Sequence, residues 1–179
     1  YPSSHTATLK GSLLPGEVTT VAEVFDRAGY ETVGIATNYN LTPFFHFNQG
    51  FQDYRYLAPD APLRASDEQA KLIFIEFAKK VAAKFKGGRE TPSEYYVIGE
   101  KVTDIALARL AEVDANRPFF MFVSYMDAHD PYFRHPYDGY AISHRGNGDV
   151  DPSDEKKISE MKSLYEGEVR YWDEHFGRL

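Results

Sequence analysis

The 179-residue sequence contains no cysteine. That absence removes disulfides, thiolate zinc sites and iron–sulfur clusters from its chemistry. No apolar run is long enough to cross a bilayer, so a membrane is not expected as a partner. Nothing at the start has the charged, apolar and small-residue order of a signal peptide. The chain opens on Tyr1-Pro2 rather than Met, and the expectation is an internal part of a longer protein, cytoplasmic or periplasmic. Basic clusters are missing as well. With 20 Lys and Arg against 27 Asp and Glu, the net charge is −7, which makes nucleic acid and anionic membrane surfaces unsuitable partners. Repeats and low-complexity tracts are absent. What remains is a sequence that is 42% hydrophobic and 15% aromatic, enough to fill one substantial core, so a single domain over residues 1–179 is expected.

The most informative stretch is the run from Phe119 to Tyr125. Its aromatic and branched residues favour a strand buried on both faces, as in a parallel sheet covered by helices. Asp127, His129 and Asp130 follow at once, and Pro131 removes a ladder donor. If strand geometry persists, Asp127 and His129 project to one side and Asp130 to the other. Residues 32–37 form a second β-rich run, with Asn38 and Asn40 just beyond it. The carboxyl ends of parallel strands are where open α/β sheets hold their ligands, so both segments are candidate sites that would converge on one edge.

Helical spacing organises most of the rest. Thr19 or Thr20 can cap a helix over Val21, Ala22, Val24 and Phe25, with Glu23 three residues after Thr20 as in a capping box, and Gly29 supplies the stop. Residues 66–85 read as a helix, and another begins at Thr91 or Ser93 and runs to about Glu112. From about Ser153 onward, Ile158, Met161, Tyr165, Val169, Trp172, Phe176 and Leu179 step by three and four as a buried stripe. Residues 42–56 are aromatic and read as irregular, and a long loop follows Tyr132. The pattern is that of an α/β fold with a mainly parallel sheet between helices.

Each candidate has a plainer alternative. Asp127 and His129 also suit a turn bonded to local backbone. Asn38 and Asn40 are common turn-formers. Asp127, His129, Asp130 and His135 offer carboxylate and imidazole to a metal, but their spacing matches no strong signature, and no metal site is expected within this chain. His5 and His144 read as solvent-facing loop residues, and Glu160, Glu166 and Glu174 as a solvated helix face.

Four stretches, in order, resemble the sulfatase family of the alkaline-phosphatase-like superfamily. They are Leu14 to Thr32, Phe47-Asn48-Gln49-Gly50-Phe51, Pro118 to Tyr132, and Tyr165 through Gly167-Glu168-Val169 to Leu179. The resemblance implies a three-layer α/β/α fold of the alkaline-phosphatase type. It also implies hydrolysis of sulfate or phosphate esters, of small molecules or glycans, at a divalent metal, calcium or magnesium. His129 matches the family histidine that contacts the ester or leaving group and is the expected catalytic residue. His129, Asn38, Asn40 and Asp127 are the expected substrate contacts. The family nucleophile and metal carboxylates would lie outside this chain, so the fragment is expected to be inactive alone. Ala36-Thr37-Asn38-Tyr39-Asn40-Leu41 stands where the family has a Lys and a His on the sulfate. A phosphodiesterase, a phosphoryl-group transferase of the same superfamily, or a non-catalytic α/β binding module are the alternatives.

Overall fold

Thr20 opens the first helix as its spacing to Glu23 predicts. In the computed structural model, which describes residues 12–59, 95–143, 151 and 153–179, helix α1 spans Val21–Arg27. The Glu23 amide donates to Thr20 Oγ1 at 3.1 Å, and Glu23 Oε2 accepts from the Thr20 amide at 2.7 Å. The bond from the Thr20 backbone, followed by that from Gln49, holds the Glu23 carboxyl below its usual range. Ala28 ends the helix, and Gly29 turns the chain at φ 88°. The expected helix over 66–85, the start at Thr91 or Ser93, and His5 and His144 lie outside the described residues.

The residues group into two compact units, Tyr1–Leu57 with Asp104–Tyr125, and Ala58–Thr103 with Met126–Leu179. The first contains a parallel sheet of three strands in the order β2-β1-β3, with β1 Glu31–Ala36, β2 Asp53–Tyr56 and β3 Phe119–Val123. The two strands expected from the sequence are therefore direct neighbours, with Glu31 opposite Phe119 and Ile35 opposite Val123. Burial is distributed differently from expectation. β1 is the strand enclosed on both faces, with Val33, Ile35 and Ala36 inaccessible, whereas Phe119 and Phe122 of β3 remain partly exposed. The reason is position: β1 is central, and β3 lies at the edge of the described sheet. On one face Phe25 of α1 stacks on Phe120, their ring centroids 4.5 Å apart.

Strand β2 corrects the reading of 42–56 as irregular. Only part of that segment is, including a short 3-10 turn at Pro43–Phe45, which follows another at Tyr39–Leu41. Asp53-Tyr54-Arg55-Tyr56 is too charged to stand out as a strand, and tertiary context supplies what its composition does not. A side chain at Gly34 would put its Cβ 2.3 Å from Tyr54 Cδ2, so the bare β1 backbone is what admits the Tyr54 ring. The Tyr54 hydroxyl then donates to the Leu41 carbonyl at 2.5 Å.

Helix α2, Gly99–Leu110, starts later than expected, because Tyr96 and Val97 are buried in non-helical chain ahead of it. The helix passes from the second unit into the first, where Arg109 meets two carboxylates. Its Nε donates to Asp53 Oδ2 at 2.8 Å, and its Nη2 makes a short contact with Glu31 Oε1. The Arg109 bond, opposed by burial, depresses the Glu31 carboxyl. Burial raises that of Asp53, but the bonds from Arg55 and Arg109 outweigh it and leave it low.

The second unit packs helix α3, Glu155–Phe176, against an antiparallel pair, β4 Tyr132–Phe133 and β5 Ala141–Ile142. The α3 stripe is out of phase with the expected one. Leu164 and Glu168 are buried, while Tyr165, Val169, Phe176 and Leu179 are exposed. The apolar spacing was real, but the β4–β5 pair packs on the neighbouring stripe, centred on a carboxylate.

The Arg109 cluster yields a stability prediction. Arg109→Met should lower unfolding free energy by about 2 kcal/mol or more, because it takes from Glu31 the cation that bonds it and leaves Asp53 with Arg55 alone. Since both carboxyls are depressed, the stability they confer is present above their unfolded-state range and is lost as pH falls through their folded one. Urea titrations at pH 7 and pH 3.5 check this: the wild type and the variant should differ most at pH 7.

Candidate functional site

The chain leaves β3 under tight control. Ser124 donates its amide to the Ile35 carbonyl at 2.8 Å, and Thr37 Oγ1 donates to the Ser124 carbonyl at 2.9 Å. Beyond Tyr125 it enters the second unit, and strand geometry ends. Ala128 has φ 66°, and the His129 amide closes a turn onto Met126 O at 3.0 Å. The two-residue alternation that would have aimed Asp127 and His129 to one side therefore does not reach them.

Their surroundings differ sharply. The His129 side chain is on the exposed crest of the turn, and its Nδ1 lies 2.7 Å from the carbonyl oxygen of Asp130. A carbonyl only accepts, so Nδ1 carries the proton and Nε2 is the atom presented outward. Asp130 in turn accepts from Ser143 Oγ at 2.8 Å. Asp127 turns inward. Its Oδ1 accepts from the Gly99 amide at 2.9 Å, capping α2 from a distant part of the sequence, while its Oδ2 is buried without a hydrogen-bond partner. A Cβ at residue 99 would lie 3.0 Å from that Oδ2, so glycine is what allows the approach. Burial pushes the Asp127 carboxyl up to about 6; the Gly99 amide opposes that shift, and the charge of Glu168 adds to it.

Glu168 is the functional-site neighbour that sequence reasoning missed. It is 0% exposed, and its Oε1 accepts from the Phe133 amide at 2.7 Å and from the Tyr96 hydroxyl at 3.1 Å. Its Oε2 lies 3.3 Å from His135 Nε2, at ion-pair distance but without hydrogen-bond geometry. The His135 ring stacks on Tyr171 at 4.2 Å and touches Tyr137 at 4.4 Å. Burial, reinforced by Glu168, drives the Tyr96 and Tyr137 hydroxyls far above their ordinary range, and burial raises Tyr171 to about 12. A signal was available: Glu168 falls four residues after Leu164 and seven after Met161, on the helix face those apolar residues share.

Asn38 and Asn40 belong to the first unit. Asn38 Oδ1 accepts from the Asn40 amide at 2.9 Å and from Asn40 Nδ2 at 3.1 Å, so Asn38 caps the short turn that follows β1. Among the described residues, no three His, Asp or Glu side chains are arranged to hold a metal ion. Asp127, Asp130 and His135, considered above as ligands, are instead directed to Gly99, Ser143 and the Tyr171–Glu168 pocket respectively. These residues do not fit a divalent metal.

A sulfatase family profile, described as Sulfatase, matches residues 1–179. The chain belongs to the sulfatase family. No curated protein matches this sulfatase-family chain. Among solved structures it is similar to a protein in the alkaline phosphatase superfamily from Vibrio parahaemolyticus, at 16% identity and a TM-score of 0.40. That alignment covers 97% of the present chain and 35% of the other, so the sulfatase chain spans about a third of that protein's length. The fold is α/β with a parallel sheet, and no described helix is long and apolar enough to cross a membrane.

The inward carboxylate gives a prediction with a definite sign. The folded-state pKa of Asp127 is raised, so its contribution is most favourable at low pH and is lost as pH rises from about 4 through about 6. Asp127→Asn keeps an acceptor for Gly99 but cannot ionise. It should match the wild type near pH 4 and exceed it by roughly 2–3 kcal/mol at pH 7.5. Chemical denaturation across that interval reads the difference, and a flat difference would count against the assignment.

Proposed function

We propose that the complete protein hydrolyses sulfate or phosphate esters of small molecules or glycans, with His129 as the group in this chain that meets the ester. Family membership over residues 1–179 supports the reaction class. The single observation that supports His129 is its ring: exposed, with Nδ1 tied to the Asp130 carbonyl, which leaves Nε2 as the nitrogen that could meet a ligand. When charged, that Nε2–H donates to an ester oxygen and delivers its proton to the leaving group as the bond breaks; imidazole changes charge in the pH range where such a donor is useful. Asp127 does not contact substrate in this reading; it fixes the start of the turn through Gly99. Asn38 and Asn40 can offer only neutral amide donors, so the strong cationic grip on the ester must come from groups other than these. The divalent metal implied for the family, calcium or magnesium, would neutralise ester charge, and none of the described residues is assigned to it.

Phosphate esters remain in the proposal because of one observation. The segment Ala36-Thr37-Asn38-Tyr39-Asn40-Leu41, which stands where the family has a Lys and a His on the sulfate, carries no cationic side chain, and Asn38 is occupied as a cap.

His129→Ala in the full-length protein should lower kcat/KM for aryl sulfate or aryl phosphate by roughly 100-fold or more. Its melting temperature should scarcely change, because the ring is exposed and its one bond is to its own neighbour. The purified 179-residue chain should show no turnover of either ester, since one imidazole cannot supply the charge neutralisation that the reaction requires. Metal-dependent turnover by that chain, or normal activity of the alanine variant, would overturn the proposal.

A further inference from the structure

We infer that Glu168, on the last helix, is a positioning residue that acts through the turn carrying His129. This rests on the proposed contact of His129 with the ester. The segment between Asp127 and Phe133 has no helix and only the start of β4, yet it is fastened at three points by groups from elsewhere in the same unit, one backbone amide and two side chains. Asp127 is fixed to the Gly99 amide, Asp130 to Ser143 Oγ, and the Phe133 amide to Glu168 Oε1. The Phe133 amide is the downstream anchor, four residues past His129. At 2.7 Å to a fully buried carboxylate, it is a charge-assisted bond of the stronger kind. The Phe133 side chain, 1% exposed, is locked beside it, so the chain cannot slide at that point. Upstream, the Asp127 bond sits two residues before His129. The imidazole is thus held on a short span clamped at both ends by buried carboxylates, while its ring remains in solvent.

A buried carboxylate is a demanding anchor because it must keep its partners. Leaving Glu168 Oε1 without the Phe133 amide and the Tyr96 hydroxyl would strand a charge away from water, so the carboxylate penalises any excursion of the turn that breaks those bonds. An amide side chain of the same length preserves the acceptor. A carboxylate one methylene shorter preserves the charge but not the reach. The two replacements therefore separate positioning from electrostatics.

The test uses the full-length enzyme with an aryl ester of the class it turns over. Glu168→Gln should retain kcat within about threefold, whereas Glu168→Asp should lose roughly 10-fold or more in kcat with KM little changed, as expected when a reacting group is displaced. Combined with His129→Ala, Glu168→Asp should cost nothing further, because the group it positions is gone. Amide hydrogen exchange over residues 128–133 should rise in Glu168→Asp and not in Glu168→Gln, and this readout does not depend on activity. Equal losses of kcat with and without His129, equal losses in the Gln and Asp variants, or unchanged exchange would overturn the positioning role. Faster exchange together with full activity of His129→Ala would sink the His129 reading instead and leave the bracing of the turn standing.

Discussion

A carboxylate with no access to water must find its partners within the protein, and in the second unit Glu168 meets that constraint by drawing three segments together. Tyr96 comes from the chain ahead of α2, Phe133 and His135 from around β4, and the carboxylate itself from the middle of α3. Apart from α3, these segments are short. The β4–β5 pair has two residues in each strand, far below what a free-standing hairpin needs, so it depends on the helix behind it. Remove the carboxylate's acceptor and the Phe133 amide and the Tyr96 hydroxyl are both left buried without it. The aromatic layer of Tyr137, His135 and Tyr171 completes the enclosure, and it is this layer that keeps the dielectric low enough for the bonds to be strong.

The first unit solves a related problem with the opposite arrangement. There the enclosed group is a cation, Arg109, and its two carboxylates stand at the first residues of neighbouring parallel strands, Glu31 of β1 and Asp53 of β2. Planar guanidinium geometry suits two acceptors at once, which lysine could not match. The pairing clamps the amino-terminal edge of the sheet. At the carboxyl-terminal edge the residues are polar but uncharged, Thr37 and Asn38, bonded to backbone or to a neighbouring amide. Ion pairing is thereby confined to the amino-terminal end of these strands, and uncharged hydrogen bonding to the other.

What could be read from the sequence follows from which signals are local. The Thr20–Glu23 box, the glycine at position 29 and the two apolar strands depend on contacts within a few residues or on simple burial, and all were legible. β2 was not, because Asp53 and Arg55 are explained only by Arg109 and Glu112 far along the chain. The start of α2 was missed for the same reason: its cap is Asp127, 28 residues away, rather than a neighbouring Ser or Thr. At the candidate site, the turn at His129 was legible as the alternative of a local backbone bond, but the inward turn of Asp127 was not, since the left-handed Ala128 breaks the alternation without any glycine to announce it. The phase of α3 shows the limit most clearly. A helix with two plausible apolar stripes can bury either, and the one chosen includes a glutamate whose partners are invisible in sequence.

The braced turn also constrains the chemistry of its histidine. Because Nδ1 is committed to the Asp130 carbonyl, the neutral ring offers a lone pair at Nε2, and only the charged ring offers a proton there. A role as leaving-group donor therefore requires the imidazolium, whereas a rotating, unbraced imidazole could present either nitrogen in either state. The Asp130 carbonyl accepts from the same side in both states, which means that gaining the proton requires no rearrangement of the turn. Rigidity at Phe133 and Asp127 and a fixed tautomer at His129 are thus one arrangement: the backbone that the buried carboxylates hold still is the backbone that supplies the acceptor for Nδ1.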